Sequence, residues 1–193
     1  TPTTPLPAIT DQVEINALAA PCTTWPPQPV VELDGSLAGA NADGFKIQAA
    51  SSRIIGLYIH SFSQDGIDIS ASGAVIACNI IGLNPAGAAA GNGANGVLLA
   101  GANTVIGPFG AALGNVVSAN TNGLFIWQPS SATNLVAGNY IGTDATGLLD
   151  RGNSSNGIFL GYGASNNVIG GASAAERNII SGNGGDGVRL EIT

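Results

Sequence analysis

The chain has 193 residues, of which 29 are Gly and none Met; 45% are apolar and only 9% charged. That length allows one sizeable core, and the apolar content argues against disorder despite the scarcity of charge. Five Lys+Arg stand against twelve Asp+Glu, which argues against nucleic acid and anionic membrane surfaces as partners. It also fits poorly with an acidic polymer substrate unless a bound cation mediates. No stretch approaches the ~20 continuous apolar residues of a membrane span.

In chain order, Thr1-Pro2-Thr3-Thr4-Pro5-Leu6-Pro7 reads as the start of a mature or trimmed product. Residues 1–10 are expected to be a Pro/Thr-rich linker. Asp11 to Ala17 alternates apolar and polar residues and predicts a strand. Pro21 to Pro29 carries Cys22, Trp25 and four prolines, so it predicts an irregular cover near the first coil. Val30 to Leu33 predicts a second early strand. Cys22 and Cys78 are the only cysteines. A disulfide tying the N-terminal segment to an early coil is one reading, and two buried thiols is the other.

From Asp43 a repeat takes over. An Asx-Gly pair followed by an apolar-x-apolar triplet occurs six times, at Asp43-Gly44, Asp65-Gly66, Asn95-Gly96, Asn122-Gly123, Asn156-Gly157 and Asp186-Gly187. The Gly-to-Gly spacings are 22, 30, 27, 34 and 30 residues, and periods of this size demand a repeat architecture. Each period holds two more short apolar runs, such as Asn167-Val168-Ile169-Gly170 and Asn178-Ile179-Ile180-Ser181. Short runs rich in Ile and Val, without helical periodicity, exclude helical solenoids.

A parallel β-helix of three short strands per coil and about six coils fits. Residues 11–42 form its irregular first coil and cover, and residues 43–193 its regular coils. Each strand would pair with its equivalent one coil on, giving a rod ~25–30 Å long. Asn at the corners would form side-chain ladders, and the Asx-Gly glycines would supply positive φ at tight corners. Longer insertions, Gly82 to Asn95 and Gly142 to Asn156, leave one corner in alternate coils. Loops projecting from one side are where solenoids usually bind.

Asn139-Tyr140-Ile141-Gly142-Thr143-Asp144-Ala145-Thr146-Gly147, Asn167-Val168-Ile169-Gly170-Gly171 and Arg177-Asn178-Ile179-Ile180-Ser181-Gly182-Asn183 resemble the repeats of bacterial secreted β-helix proteins. These share the fold of the pectate lyase-like superfamily. The resemblance covers nearly the whole chain and implies a right-handed β-helix and an extracellular or cell-surface location. It implies no chemistry, because fold alone does not carry function.

Lyases and hydrolases on this fold need clustered charge, either Asp ligands for calcium with a basic residue or paired carboxylates. Asp144, Asp150 and Arg151 share one loop and are the best polar cluster, with Asp144 and Asp150 the candidate calcium ligands. Asp43, Asp65 and Asp186 share their repeat position with Asn95, Asn122 and Asn156, so they read as turn formers. The only histidine, His60, follows a Tyr58-Ile59 run taken to face inward, and predicts a structural role.

In each triplet the middle residue points outward. The outward column is then Lys46, Asp68, Leu98, Phe125, Phe159, Arg189, with Trp127 outward beside Phe125. Leu98, Phe125, Trp127 and Phe159 therefore predict a contact stripe. The coil ends, marked by Val13 and Ile15 and by Val188, Leu190 and Ile192, expose backbone groups that another copy could pair with. The expected function is an extracellular structural or adhesive β-helix, associating head-to-tail with itself or holding a polysaccharide. A polysaccharide-active lyase or hydrolase and a carbohydrate-binding module are the alternatives. Asn153-Ser154-Ser155 is a glycosylation sequon.

Overall fold

The computed structural model describes residues 1–18, 22, 23, 25–110 and 113–191. In chain order, β1 (Glu14–Asn16) and β2 (Val31–Asp34) open the rod. The next coil holds β3 (Phe45–Ile47), β4 (Arg53–Ile55) and β5 (Leu57–His60), followed by β6 (Ile67–Ile69), β7 (Val75–Ala77) and β8 (Ile80–Ile81). Then come β9 (Asn95–Leu99), β10 (Val105–Ile106) and β11 (Val116–Val117), and β12 (Asn122–Trp127), β13 (Leu135–Val136) and β14 (Tyr140–Ile141). The last full coil is β15 (Ile158–Gly161), β16 (Val168–Ile169) and β17 (Ile179–Ile180), with β18 (Val188–Leu190) beginning another.

These strands stack into three parallel six-stranded sheets. The first sheet runs β3-β6-β9-β12-β15-β18, the second β1-β4-β7-β10-β13-β16 and the third β2-β5-β8-β11-β14-β17. The chain is a parallel β-helix. Ile9, in the segment expected to be linker, bridges in parallel to Ile47 and packs on the core, so the first coil begins there.

The core follows from alternation along each strand. In the second sheet Ile15, Ile54, Ile76, Ile106, Val136 and Ile169 stand in register, all turned inward. Burying each such side chain stabilises the fold by about 1.5–3 kcal/mol.

The corners are held by asparagine ladders. Asn115 Nδ2 donates to Asn139 Oδ1 at 2.9 Å and to the Ile76 carbonyl, while its Oδ1 accepts from the Asn79 backbone and side-chain amides at 3.0 Å. Asn139 continues the column onto Asn178. Parallel columns run Asn92–Asn120–Asn153–Asn183 and Asn134–Asn167. No buried side-chain nitrogen or oxygen among the described residues lacks a hydrogen-bond partner, as a buried polar network requires.

The Asx-Gly glycines do not have the positive φ expected of them. For the five before Gly187 the reason is space: a Cβ on Gly123 would lie 2.5 Å from the Gly157 carbonyl oxygen and 2.7 Å from Ile141 Cγ2. Successive coils approach so closely there that only a hydrogen fits. Positive φ is found at other corners, as at Gly82 (91°) and Gly142 (88°), just after the third-sheet strands.

The N-terminal segment also departs from expectation. Instead of covering the first coil alone, it runs along much of the rod. Ala17 donates to the Ile55 carbonyl, and Cys22 is disulfide-bonded to Cys78. The Cys22 carbonyl accepts from Leu113. Trp25 then stacks on Tyr140 with centroids 4.2 Å apart and donates its indole N–H to the Ala145 carbonyl. One strap thus touches the coils of β4, β7, β11 and β14.

Candidate functional site

The first sheet carries the aromatic face. Its outward column is Lys46, Asp68, Leu98, Phe125, Phe159 and Arg189, each opposite the next. Phe125 and Phe159 stack with centroids 4.8 Å apart and planes 9° off parallel. Arg189 lies over the other face of the pair, 5.3 Å from the Phe159 centroid. Ring faces are thereby occupied by neighbours, and Leu98, Phe125 and Phe159 are only partly exposed. Stacked pairs of this kind add about 0.5–1.5 kcal/mol beyond area burial.

The exposed aromatic surface belongs to two flanking residues. Trp127 is 37% exposed and stands opposite Gly161 on β15, which leaves its side toward that coil without a covering side chain. Tyr162 is 50% exposed and packs edge-on against Phe125, 6.2 Å between centroids, and 6.4 Å from Phe159. Sequence reasoning missed Tyr162 because it lies past the end of β15 in a corner with φ 55°. The strand alternation that placed Phe125, Trp127 and Phe159 does not extend there. The one available signal was a fourth aromatic three residues after Phe159.

At the N-terminal end of this column Lys46 Nζ pairs with Asp68 Oδ2 at 2.7 Å and with Asp43 Oδ2 at 3.9 Å. Burial, opposed by the Asn95 amides and aided by the charges of Asp43 and Asp68, pushes the Asp65 carboxyl up to about 6. Asp65 Oδ1 accepts from the Asn95 backbone and side-chain amides, both at 2.8 Å. Asn122 Nδ2 donates to Asn95 Oδ1, Asn156 donates to Asn122 Oδ1, and the Asp186 amide to Asn156 Oδ1. Asp and Asn thus serve one ladder.

His60 is buried, with Nε2 2.8 Å from Glu32 Oε1 and Nδ1 3.0 Å from Ser61 Oγ. It ties β5 to β2. Tyr58 was expected to face inward; it instead lies on the outer face, in register with Ile80 and grouped with Val116 and Tyr140 outside the core. The reason is strand alternation, since Leu57 and Ile59 take the inward positions.

Loops 82–90 and 142–152 both project over the outer face of the third sheet. Each contains a small antiparallel bridge, Leu83–Ala89 and Thr143–Asp150. Asp144 Oδ1 accepts from the Leu148 and Leu149 amides at 3.1 and 3.0 Å and from the Thr146 hydroxyl at 2.8 Å. Partial burial pushes the Asp144 carboxyl up, but these donors prevail and hold it below the ordinary range. Asp150 Oδ1 accepts from the Gly152 amide. Both candidate calcium ligands thus accept hydrogen bonds within their own loop. Among the described residues no three His, Cys, Asp or Glu side chains gather as a metal site.

The loops and the strap enclose a cleft of about 390 Å³. Tyr58 and Ile80 line it from the sheet, Pro26, Pro27 and Gln28 from the strap, and Leu83, Pro85, Leu149 and Arg151 from the loops. Arg151 Nε donates to the Gly87 carbonyl at 3.1 Å and its Nη1 to the Asp150 carbonyl at 2.9 Å.

At the ends, Ile15 packs onto the core and Val13 is half-buried, whereas Val188 and Leu190 are 44% and 71% exposed. Ile192 lies outside the described residues. The sequon residue Asn153 is buried, and its Nδ2 donates to Asn183 Oδ1 at 2.8 Å and to the Val117 carbonyl. The nitrogen a glycan would need is committed to the ladder.

Neither a protein-family model nor a curated protein or solved structure matches the chain.

Proposed function

We propose that this chain is an adhesive β-helix of the extracellular or cell-surface kind, holding polysaccharide against the aromatic face of its first sheet. The observation that carries the proposal is the convergence of Phe125, Trp127, Phe159 and Tyr162 on one outward surface. Sugar rings present apolar C–H faces and polar rims, and aromatic side chains on a rigid sheet match both without reorganisation. In this reading the Phe125–Phe159 stack is the platform, and the exposed rings of Trp127 and Tyr162 make the contact. A rigid scaffold supports precise placement of such groups better than loops do. The dispersed charge favours binding over catalysis: Lys46, Arg53 and Arg189 are each paired with a carboxylate at separate places on the rod.

Affinity electrophoresis through gels containing hydroxyethyl cellulose, xylan or galactomannan tests this. Retardation by at least one neutral polymer is expected. Trp127→Ala and Tyr162→Ala should each weaken it about tenfold or more, the scale of a contact hot spot. Both residues are exposed, so melting temperature should hold. Equal mobility in every gel, or undiminished retardation of both variants, would remove the proposal.

A further inference from the structure

We propose that the cleft over the third sheet is a second binding site, specific for a small organic carboxylate with an apolar body. It is independent of the aromatic face, which lies on another side of the coil.

The charge of the cleft motivates the choice. The chain has five Lys+Arg against twelve Asp+Glu, so carboxylates are in excess for every cation. Lys46, Arg53 and Arg189 are paired, and the fifth cation, Arg177, lines a separate cleft beside Trp25 and Ile179. Arg151 is half-buried and makes no ion pair among the described residues, although Asp144 and Asp150 share its loop. Two backbone carbonyls fix its guanidinium through Nε and Nη1. Of its five N–H donors, the rest remain for a ligand. A planar fork held this way is suited to a carboxylate, which accepts two parallel hydrogen bonds from it.

The other walls set the ligand's body. Tyr58, Ile80, Leu83, Ala145, Leu149, Pro26 and Pro27 present apolar surface. Burial pushes the Tyr58 hydroxyl above its ordinary range, and Glu32 adds to this, so it remains a neutral donor. Asp144 also lines the cleft. Three donors of its own turn converge on one of its oxygens, so it is built to shape the loop rather than to capture a cation. A volume of about 390 Å³ falls in the range that accepts small ligands. The walls come from four separate parts of the chain, and the strap wall is fixed by the Cys22–Cys78 disulfide and by Trp25 on Tyr140. The cavity is thus preformed.

Isothermal titration with cinnamate tests the site, with cinnamamide and acetate as controls. Cinnamate should bind saturably at one site per chain. Cinnamamide, which keeps the ring and loses the charge, should bind at least tenfold more weakly, and acetate should show no saturation. Arg151→Gln should weaken cinnamate binding to the same degree, with Arg151→Lys intermediate because it keeps the charge and loses the fork. Leu149→Asp, at an exposed wall position, should also abolish binding and so locate the site. Melting temperatures of all three variants should stay near that of the parent. No saturable heat with cinnamate up to ~10 mM, a range that reaches well past millimolar affinity, would overturn the proposal. So would equal affinity for cinnamate and cinnamamide, or unchanged binding by Arg151→Gln or Leu149→Asp.

Discussion

Asp65 shows what a single side chain does in a ladder built for amides. It accepts both Asn95 donors as an asparagine would, yet it carries a charge that burial resists. Its pKa rises from an ordinary 3.8 to about 6 on folding. The folded state therefore binds the proton more tightly, and stability from this group is full below about pH 4 and lost as pH rises through 6. A shift of that size corresponds to about 3 kcal/mol at neutral pH. Asp65→Asn should remove that penalty, and its new Nδ2 could donate toward Asp43 as Asn122 donates to Asn95. Melting curves should place the variant well above the parent at pH 7.5 and close to it near pH 4; a constant gap at both pH values would contradict the assignment. The ladder role was legible in the sequence, because Asn and Asp replace one another at one repeat position. The charge penalty was not, because it depends on depth. Phe125 and Phe159 were equally legible as outward residues, but ring-on-ring contact decides how much of them a ligand could reach.

At the scale of the strand and corner, glycine divides into two kinds. Gly123 is needed for room, with the Gly157 carbonyl and Ile141 filling the space of a Cβ. Gly87 has φ 73° and nothing within 4 Å. Gly87→Ala should destabilise by about 1–2 kcal/mol, the left-handed penalty for an L-residue. Gly123→Ala must push a backbone carbonyl aside between coils, and should lose appreciably more, in the range of severe core overpacking above about 3 kcal/mol. Chemical denaturation of the pair would decide it, and a larger loss at Gly87 would invert the argument. The triplets announced their strands because alternation and period both survive in the sequence. The reason for the glycines did not, since contact between residues some thirty positions apart leaves no local signature. Tyr58 was misplaced for a related cause: a short apolar run reads the same whether its first or second residue faces in.

For the whole molecule, the strap is the feature that repeat logic could not reveal. It contains no repeat, and prolines only exclude structures. Its disulfide encloses a separation of 56 residues, for which chain entropy gives about 4 kcal/mol. Cys22→Ser with Cys78→Ser should lose most of that and loosen Trp25 from Tyr140, seen as altered tryptophan fluorescence in the folded state. A melting temperature unchanged from the parent would show that the strap holds without its staple. The strap also alters how the rod comes apart. A plain solenoid couples only neighbouring repeats, so its coils open one after another from the ends. Here one covalently pinned segment touches the coils from β4 to β14, so they should open as a single cooperative unit. The amides of β17 and β18, beyond its reach, should exchange with deuterium long before those of β7 and β11.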